Sequence, residues 1–230
     1  KAEGGVEIYE GLHVFYQENL KDQRKKHRDP GMTVEPELSD AQLKAASEFS
    51  DTAILSINRY SGEGWDRACN IPGKELHMEN IEVDVWGGED GFRAMSKEVF
   101  PKGDFYLTAQ EEALVAAAEK NFKNVIVLLN VGGIVDTSWF VENKNISSVL
   151  FLGQGGMEGA VAAVEILLGK KNPSGKLTDT FARRLEDYPS TDTFHDFAGG
   201  VEYQDDIFVG YRYFETIPGK KDCVVYPFGY

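Results

Sequence analysis

Three apolar runs, set among helical segments, constrain what this chain can fold into more than any other feature of it. Val125-Ile126-Val127-Leu128-Leu129 is apolar throughout and rich in β-branched residues, as for a strand covered on both faces. Ala53-Ile54-Leu55-Ser56-Ile57 reads as the core of a buried strand over Thr52–Asn58, and Ser148-Val149-Leu150-Phe151-Leu152 as a third. The helices carry their own start and stop signals. Ser39-Asp40-Ala41-Gln42 is a capping box that opens a helix to about Phe49. Thr108-Ala109-Gln110-Glu111 is a second, opening the helix Gln110–Asn121, whose alanine-rich centre has high helix propensity. Gly159–Leu168 is a third helix, closed by Gly169 just past its end. Helix and buried strand in alternation predict an α/β fold: a three-layer α/β/α sandwich around a mainly parallel sheet.

Glycine pairs punctuate this order. Gly132-Gly133 and Gly153 to Gly156 each follow a strand and precede a helix, a placement shared with phosphate-binding loops. Neither forms Gly-x-Gly-x-x-Gly with an acidic residue about 20 positions on, so both are read as turns. Ser138-Trp139-Phe140 is expected on a short helix, with Trp139 as apolar bulk. From Leu185 to Tyr230 the chain becomes aromatic-rich, with scattered Gly and Pro. This reads as a long loop region wrapping the sheet, with one strand at Val209–Phe214 and the tyrosines around Tyr211 in the core.

Composition narrows the partners. With 42% hydrophobic residues the chain can bury a sizeable core, and its net charge of −14 argues against nucleic acid, whose phosphates need clustered Lys and Arg. The basic run Lys21 to Arg28 is read as a solvated helix face or loop. No apolar run approaches the ~18–20 residues of a membrane-spanning helix, and no membrane partner is expected. No signal peptide is visible, and the chain opens on Lys1 rather than Met, as a processed or truncated end would. Localisation therefore stays open. Four His and two Cys, Cys69 and Cys223, show no ligand spacing, so neither a structural zinc nor any other cofactor is expected. A bridge between the two cysteines stays open.

One segment points to chemistry. Ser61-Gly62-Glu63-Gly64-Trp65-Asp66-Arg67 follows directly on the first apolar run. A strand leading into Gly-Glu-Gly sets a carboxylate at the strand's C-terminal end, where open α/β sheets bind ligands. Flanking glycines let a ligand approach the backbone. A carboxylate beside an indole fits a sugar, the ring covering its apolar face and the acid handling its oxygens. Taken alone, the weightier reading is a glycine-rich turn whose glutamate is merely solvated.

Further segments shift that balance. They are Lys102-Gly103-Asp104-Phe105-Tyr106-Leu107; Asn124 to Gly133 followed by Asp136-Thr137-Ser138-Trp139; Gly153-Gln154-Gly155-Gly156 with its helix and Leu168-Gly169-Lys170-Lys171-Asn172-Pro173-Ser174-Gly175-Lys176-Leu177; Gly210-Tyr211-Arg212-Tyr213-Phe214; and Tyr226-Pro227-Phe228-Gly229-Tyr230. With Ser61–Arg67, and in this order, they resemble the α/β sandwich domain of glycoside hydrolase family 3, the β-glucosidase family. The resemblance implies a retaining β-glycosidase acting on a carbohydrate substrate. Its partner would be a catalytic (β/α)8 barrel of the same polypeptide, which supplies the aspartate nucleophile and most sugar contacts. The sandwich domain supplies the acid/base carboxylate, here Glu63. Trp65 stands where the family often has an aromatic beside the leaving group, or else packs under its own loop. Ser61 reaches the ligand or shapes the turn.

The chain departs from the family pattern in instructive ways. It offers no barrel and no nucleophile motif. The usual first strand of the sandwich is missing or displaced, and the chain opens near the expected following helix, Ile8–Leu20. Roughly 35 residues separate Arg67 from Lys102, long enough for residues 68–101 to be an inserted, functional loop. The sequence stops at Tyr230 inside a motif that normally runs on. The expectation is a single sandwich domain over residues 1–230, cut from a longer glycosidase and inactive alone. The alternatives are a noncatalytic carbohydrate-binding or scaffold domain of this fold and, against the charge and the missing fingerprint, a nucleotide-binding domain.

Overall fold

A computed structural model describes residues 6–26, 28, 30–62, 67, 95–193, 200 and 202–230. In chain order the elements are α1 (Glu10–Lys25), α2 (Asp40–Phe49), β1 (Thr52–Arg59), α3 (Ala109–Asn121), β2 (Asn124–Val131), α4 (Ser138–Val141), β3 (Ile146–Phe151), α5 (Gly159–Leu167), β4 (Phe181–Ala182), α6 (Tyr211–Thr216) and β5 (Val224–Tyr226). The chain forms two compact units. The first comprises Lys1–Tyr60, Thr108–Gly132 and Lys144–Pro173, the second Ser61–Leu107, Gly133–Asn143 and Ser174–Tyr230.

The first unit is built on a parallel sheet in the order β1-β2-β3, the α/β architecture that the alternation of runs and helices predicts. Ile57 lies opposite Leu129 and Arg59 opposite Val131, while Val127 faces Val149 across a register shift at Val125/Ile126. The expected capping boxes both form. Ser39 Oγ accepts from the Gln42 amide at 3.3 Å while Gln42 Oε1 accepts from the Ser39 amide at 2.9 Å. At α3, Thr108 Oγ1 accepts from the Glu111 amide at 3.2 Å and Glu111 Oε2 from the Thr108 amide at 2.8 Å. Each pair satisfies donors that the helix's first turn leaves free.

Burial along β2 alternates rather than being uniform. Val125, Val127, Leu129 and Val131 are buried, while Ile126 and Leu128 are half-buried and Asn130 is exposed. The run read as covered on both faces thus buries one face fully and the other in part, a distinction that uniformly apolar residues conceal. α3 packs against β1 and β2, setting Val115 and Ala118 into the core with Leu55 and Ile57. Full burial of each valine or leucine contributes about 1.5–3 kcal/mol. α5 ends as expected: Gly169 takes φ +68°, a conformation that favours glycine, and the Lys170 amide donates to Glu165 O at 2.8 Å. α1 runs on past Leu20, the expected end, through Lys25. Its basic last turns are exposed to solvent, as read.

The second unit gathers Phe100, Phe105, Val135, Phe140, Phe181 and Phe214 into a core beside the antiparallel pair β4–β5. Tyr188 ties it together. Its hydroxyl accepts from the Ala182 amide at 2.8 Å and donates to Thr180 O at 3.1 Å. Its ring meets Phe105 and Phe214 edge-on.

The strand expected at Val209–Phe214 is instead the helix α6. Gly210, at φ +63°, breaks the extended path. Helical spacing then sends Phe214 into the core, at 2% exposure, and leaves Tyr211 on the surface, stacked on Phe228 at 5.0 Å. The core aromatic here is thus Phe214, not Tyr211.

Candidate active site

The segment Ser61–Arg67 begins where β1 ends. β1 closes on Arg59, whose side chain is only 2% exposed. Such a charge tolerates burial only when paired and fully hydrogen-bonded. Arg59 Nη1 donates to Glu111 Oε1 at 2.7 Å and Nη2 to Glu111 Oε2 at 2.8 Å, a bidentate fork that fits carboxylate geometry. Nη1 also donates to Asn58 O. Glu111 is the same residue that caps α3, so one carboxylate joins the end of β1 to the start of that helix. The Arg59 carbonyl in turn accepts from the Gly132 amide at 3.2 Å.

Beyond this anchor, Ser61 is half-buried and Gly62 exposed. Glu63, Gly64, Trp65 and Asp66 lie outside the described residues, as do Cys69 and most of the expected insertion 68–101. Of the three site residues predicted from sequence, the structure therefore places Ser61 alone.

The segment's other end is described. In the second unit Arg67 Nε donates to Asp104 Oδ2 at 2.5 Å. Nη2 reaches the carbonyls of Ile134, at 3.1 Å, and Asp104, at 3.4 Å. Both side chains are close to fully buried, at 14% and 7% exposure. Gly133 makes room for this guanidinium: a Cβ there would stand 3.1 Å from Arg67 Nη1. The second segment of the family resemblance, Lys102–Leu107, thus supplies Asp104. The Asp136 carboxylate accepts from the Ser138 amide and hydroxyl at 2.8 and 2.9 Å, opening α4.

The sequence gives no hint of these pairings. Arg59 and Glu111 stand 52 positions apart, Arg67 and Asp104 37 apart, and Glu111 reads locally as nothing more than half of a capping box.

The remaining motifs are structural. Gly153 and Gly156 both take φ +63°, as turns require. A Cβ on Gly155 would lie 2.8 Å from the Gly159 backbone, so close packing explains that glycine. Cys223 is a free thiol. Among the described residues, no group of three His, Cys, Asp or Glu is arranged to hold a metal, and no helix is long and apolar enough to cross a membrane. A half-buried polar pair lies in the first unit, where Tyr16 Oη donates to Glu35 Oε1 at 2.6 Å. Burial raises the Glu35 carboxyl above its usual range, the Tyr16 bond works against that, and the charge of Glu111 adds to it.

Comparison with known proteins places this arrangement. The profile of the glycosyl hydrolase family 3 C-terminal domain matches residues 5–211. Beta-glucosidase A of Butyrivibrio fibrisolvens is 51% identical over 225 residues, which span 98% of this chain and 26% of that protein. A beta-glucosidase structure from Paenibacillus barengoltzii superposes with a TM-score of 0.73 at 32% identity, over 100% of this chain and 22% of that one. Beta-glucosidase 3B from Thermotoga neapolitana, solved in complex with glucose, superposes at 0.68 with 28% identity, over 98% and 28%. The chain belongs to the glycosyl hydrolase family 3 C-terminal domain family. It spans about a quarter of the length of each of these three proteins.

Proposed function

We propose that the chain is the acid/base-bearing sandwich domain of a retaining β-glucosidase, with Glu63 as the acid/base. The observation that carries this reading is the position of Ser61–Arg67: it leaves the C-terminal end of a parallel strand, in a family 3 domain whose relatives include beta-glucosidases. The domain extends over residues 1–230, with 68–101 as an insertion; its described end is not a loop, since residues 95–99 are helical and Val99 and Phe100 are buried. The partner is a (β/α)8 barrel of the same polypeptide, which brings the aspartate nucleophile and the sugar subsite. The substrate is a β-linked glucoside or oligosaccharide, and no cofactor takes part.

In a retaining mechanism two carboxylates stand about 5–5.5 Å apart across the glycosidic bond. The barrel's aspartate attacks the anomeric carbon while Glu63 gives its proton to the departing oxygen. Glu63 then takes a proton from the water that releases the sugar. It must start each cycle protonated, although a free glutamate titrates near ~4.3. Desolvation and the nucleophile's negative charge raise it in the complete site, and both influences weaken when the barrel is absent. Trp65 stacks on the aglycone, and Ser61 shapes the turn or contacts the ligand.

The test is Glu63→Ala in the complete parent protein. An acid matters most where the leaving oxygen is basic. The variant should therefore lose roughly 10²–10⁴-fold in kcat/KM on alkyl glucosides, the range that general acid–base catalysis supplies, and much less on dinitrophenyl glucosides. Unchanged kcat/KM on both substrates leaves Glu63 a turn residue and removes the reading.

A further inference from the structure

We propose that the strip Tyr203–Tyr211, with Phe228 and Tyr230, is a docking surface for the rest of the parent polypeptide, which meets it with apolar side chains at the centre and Lys or Arg at the rim. This rests on the reading above that the chain is one domain of a longer glycosidase. Six large side chains of the second unit stand outside its core here: Tyr203, Ile207, Val209, Tyr211, Phe228 and Tyr230, each 48–88% exposed. The Tyr211 ring stacks on Phe228, which joins the two stretches into one surface. Together they offer roughly 600 Å², given the size of such side chains. That is large for one patch on a monomer and approaches the ~800 Å² that one partner gives to a standard interface.

The surface is held in shape. The Asp206 amide donates to Tyr203 O at 3.1 Å and the Phe208 amide to Asp205 O at 2.7 Å. Arg212 Nε donates to Val209 O at 3.3 Å. On the other stretch, the Gly229 amide donates to Leu177 O at 2.8 Å and the Leu177 amide to Tyr230 O at 3.2 Å. Aromatic side chains on a fixed backbone lose little freedom on binding, and tyrosines are enriched where interfaces hold most strongly.

The chemistry selects the occupant. Ile207 and Val209 are aliphatic, and Tyr211 and Phe228 each spend one ring face on the other, so the strip suits protein side chains better than the flat face of a sugar. Residues 202–212 carry Glu202, Asp205 and Asp206 against Arg212 alone. In a two-fold contact between copies these like charges would oppose one another, whereas a basic rim complements them. The same polypeptide has ample surface to supply it, since this chain spans only 26% and 22% of two of the proteins it matches.

Hydroxyl-radical footprinting of the complete parent protein tests this. The readout is the oxidation rate of Tyr203, Tyr211, Phe228 and Tyr230 against the same residues in urea. In the monomeric parent the four rings should oxidise on the order of tenfold more slowly, as in an interface core that excludes water. Ile207→Lys/Val209→Lys sets two charges against an apolar, basic-rimmed face and should return the rings to nearly the unfolded rate. Rings that oxidise in the unsubstituted parent as they do in urea overturn the proposal, whatever the variant does. Protection that the lysine pair leaves intact in a folded variant overturns it too. So does protection lost on dilution from dimer to monomer, which assigns the strip to a second copy, or protection that appears only with added cellotetraose, which assigns it to a sugar. Parent protein without β-glucosidase activity removes the functional reading instead, and the footprint, which needs no turnover, stands apart from that result.

Discussion

Arg59 and Glu111 form a bidentate ion pair, with both N–O distances at or below 2.8 Å, at the point where the first strand of the sheet ends. The pair lies out of solvent, at 2% and 12% exposure, and Glu111 also caps α3. Removing one partner strands the other as a buried charge. Arg59→Met should therefore destabilise the folded chain by about 3–5 kcal/mol, read from the midpoint and slope of urea unfolding. A loss under about 1 kcal/mol, the ordinary worth of an exposed pair, would contradict the burial assigned to it.

Glu35 gives the first unit a pH dependence. Its folded-state pKa is raised, mainly by burial. Below the free-carboxyl value near ~4.3 both folded and unfolded chains hold the proton, and the stabilisation is fully present. As pH rises through the folded-state pKa, that contribution is lost. Glu35→Gln cannot ionise and escapes the loss. Its stability relative to the parent sequence should therefore rise between pH 4 and pH 7 in parallel urea titrations. A difference that stays flat or falls over that range would refute the assignment.

Tyr188 holds the second unit through two backbone groups. Tyr188→Phe keeps the ring contacts but leaves the Ala182 amide and the Thr180 carbonyl without this partner. The expected loss is about 1–3 kcal/mol. Burial pushes the Tyr188 pKa from 10.0 up to about 12. The contribution is therefore complete below pH 10 and disappears as pH rises through about 12, a decline that Tyr188→Phe should not share. Variant and parent with the same alkaline unfolding curve would exclude this role.

The isolated chain should not hydrolyse glucosides. It carries the proposed acid/base but no nucleophile partner, and losing one member of a coupled catalytic set costs several orders of magnitude. A chromogenic β-glucoside assay on the purified chain should show no turnover above background. Rates near 1–10 s⁻¹, ordinary for an enzyme, would contradict the two-domain account.

The fold was legible wherever it follows local rules. The capping boxes at Ser39 and Thr108 and the closing Gly169 all act over four residues or fewer, and each formed as read. The runs at residues 53, 125 and 148 became neighbouring parallel strands, but they are not equally buried: Ile54 is exposed, and Val149, Leu150 and Phe151 are only half-buried. The misreading at Val209–Phe214 has a local cause as well. Alternating aromatics there mimic a strand, and the positive φ at Gly210 that turns the chain into a helix leaves no mark beyond a glycine. The ion pairs of Arg59 and Arg67 were not legible, because each joins residues from distant positions in the sequence. The candidate site was legible as a motif, through the resemblance that Ser61–Arg67 carries. The Arg59–Glu111 pair in the first unit and the Arg67–Asp104 pair in the second emerged only from the structure.

The central claim is that Glu63 is the acid/base of a retaining site, and azide rescue tests it most directly. Glu63→Ala in the complete parent protein removes the base that activates water for deglycosylation, and a small anion needs no such base. With 2,4-dinitrophenyl β-glucoside, azide should restore turnover, and proton NMR should identify β-glucosyl azide, the configuration of the substrate, because a double displacement inverts twice. No acceleration by azide, or an α-glucosyl azide product, would contradict the account.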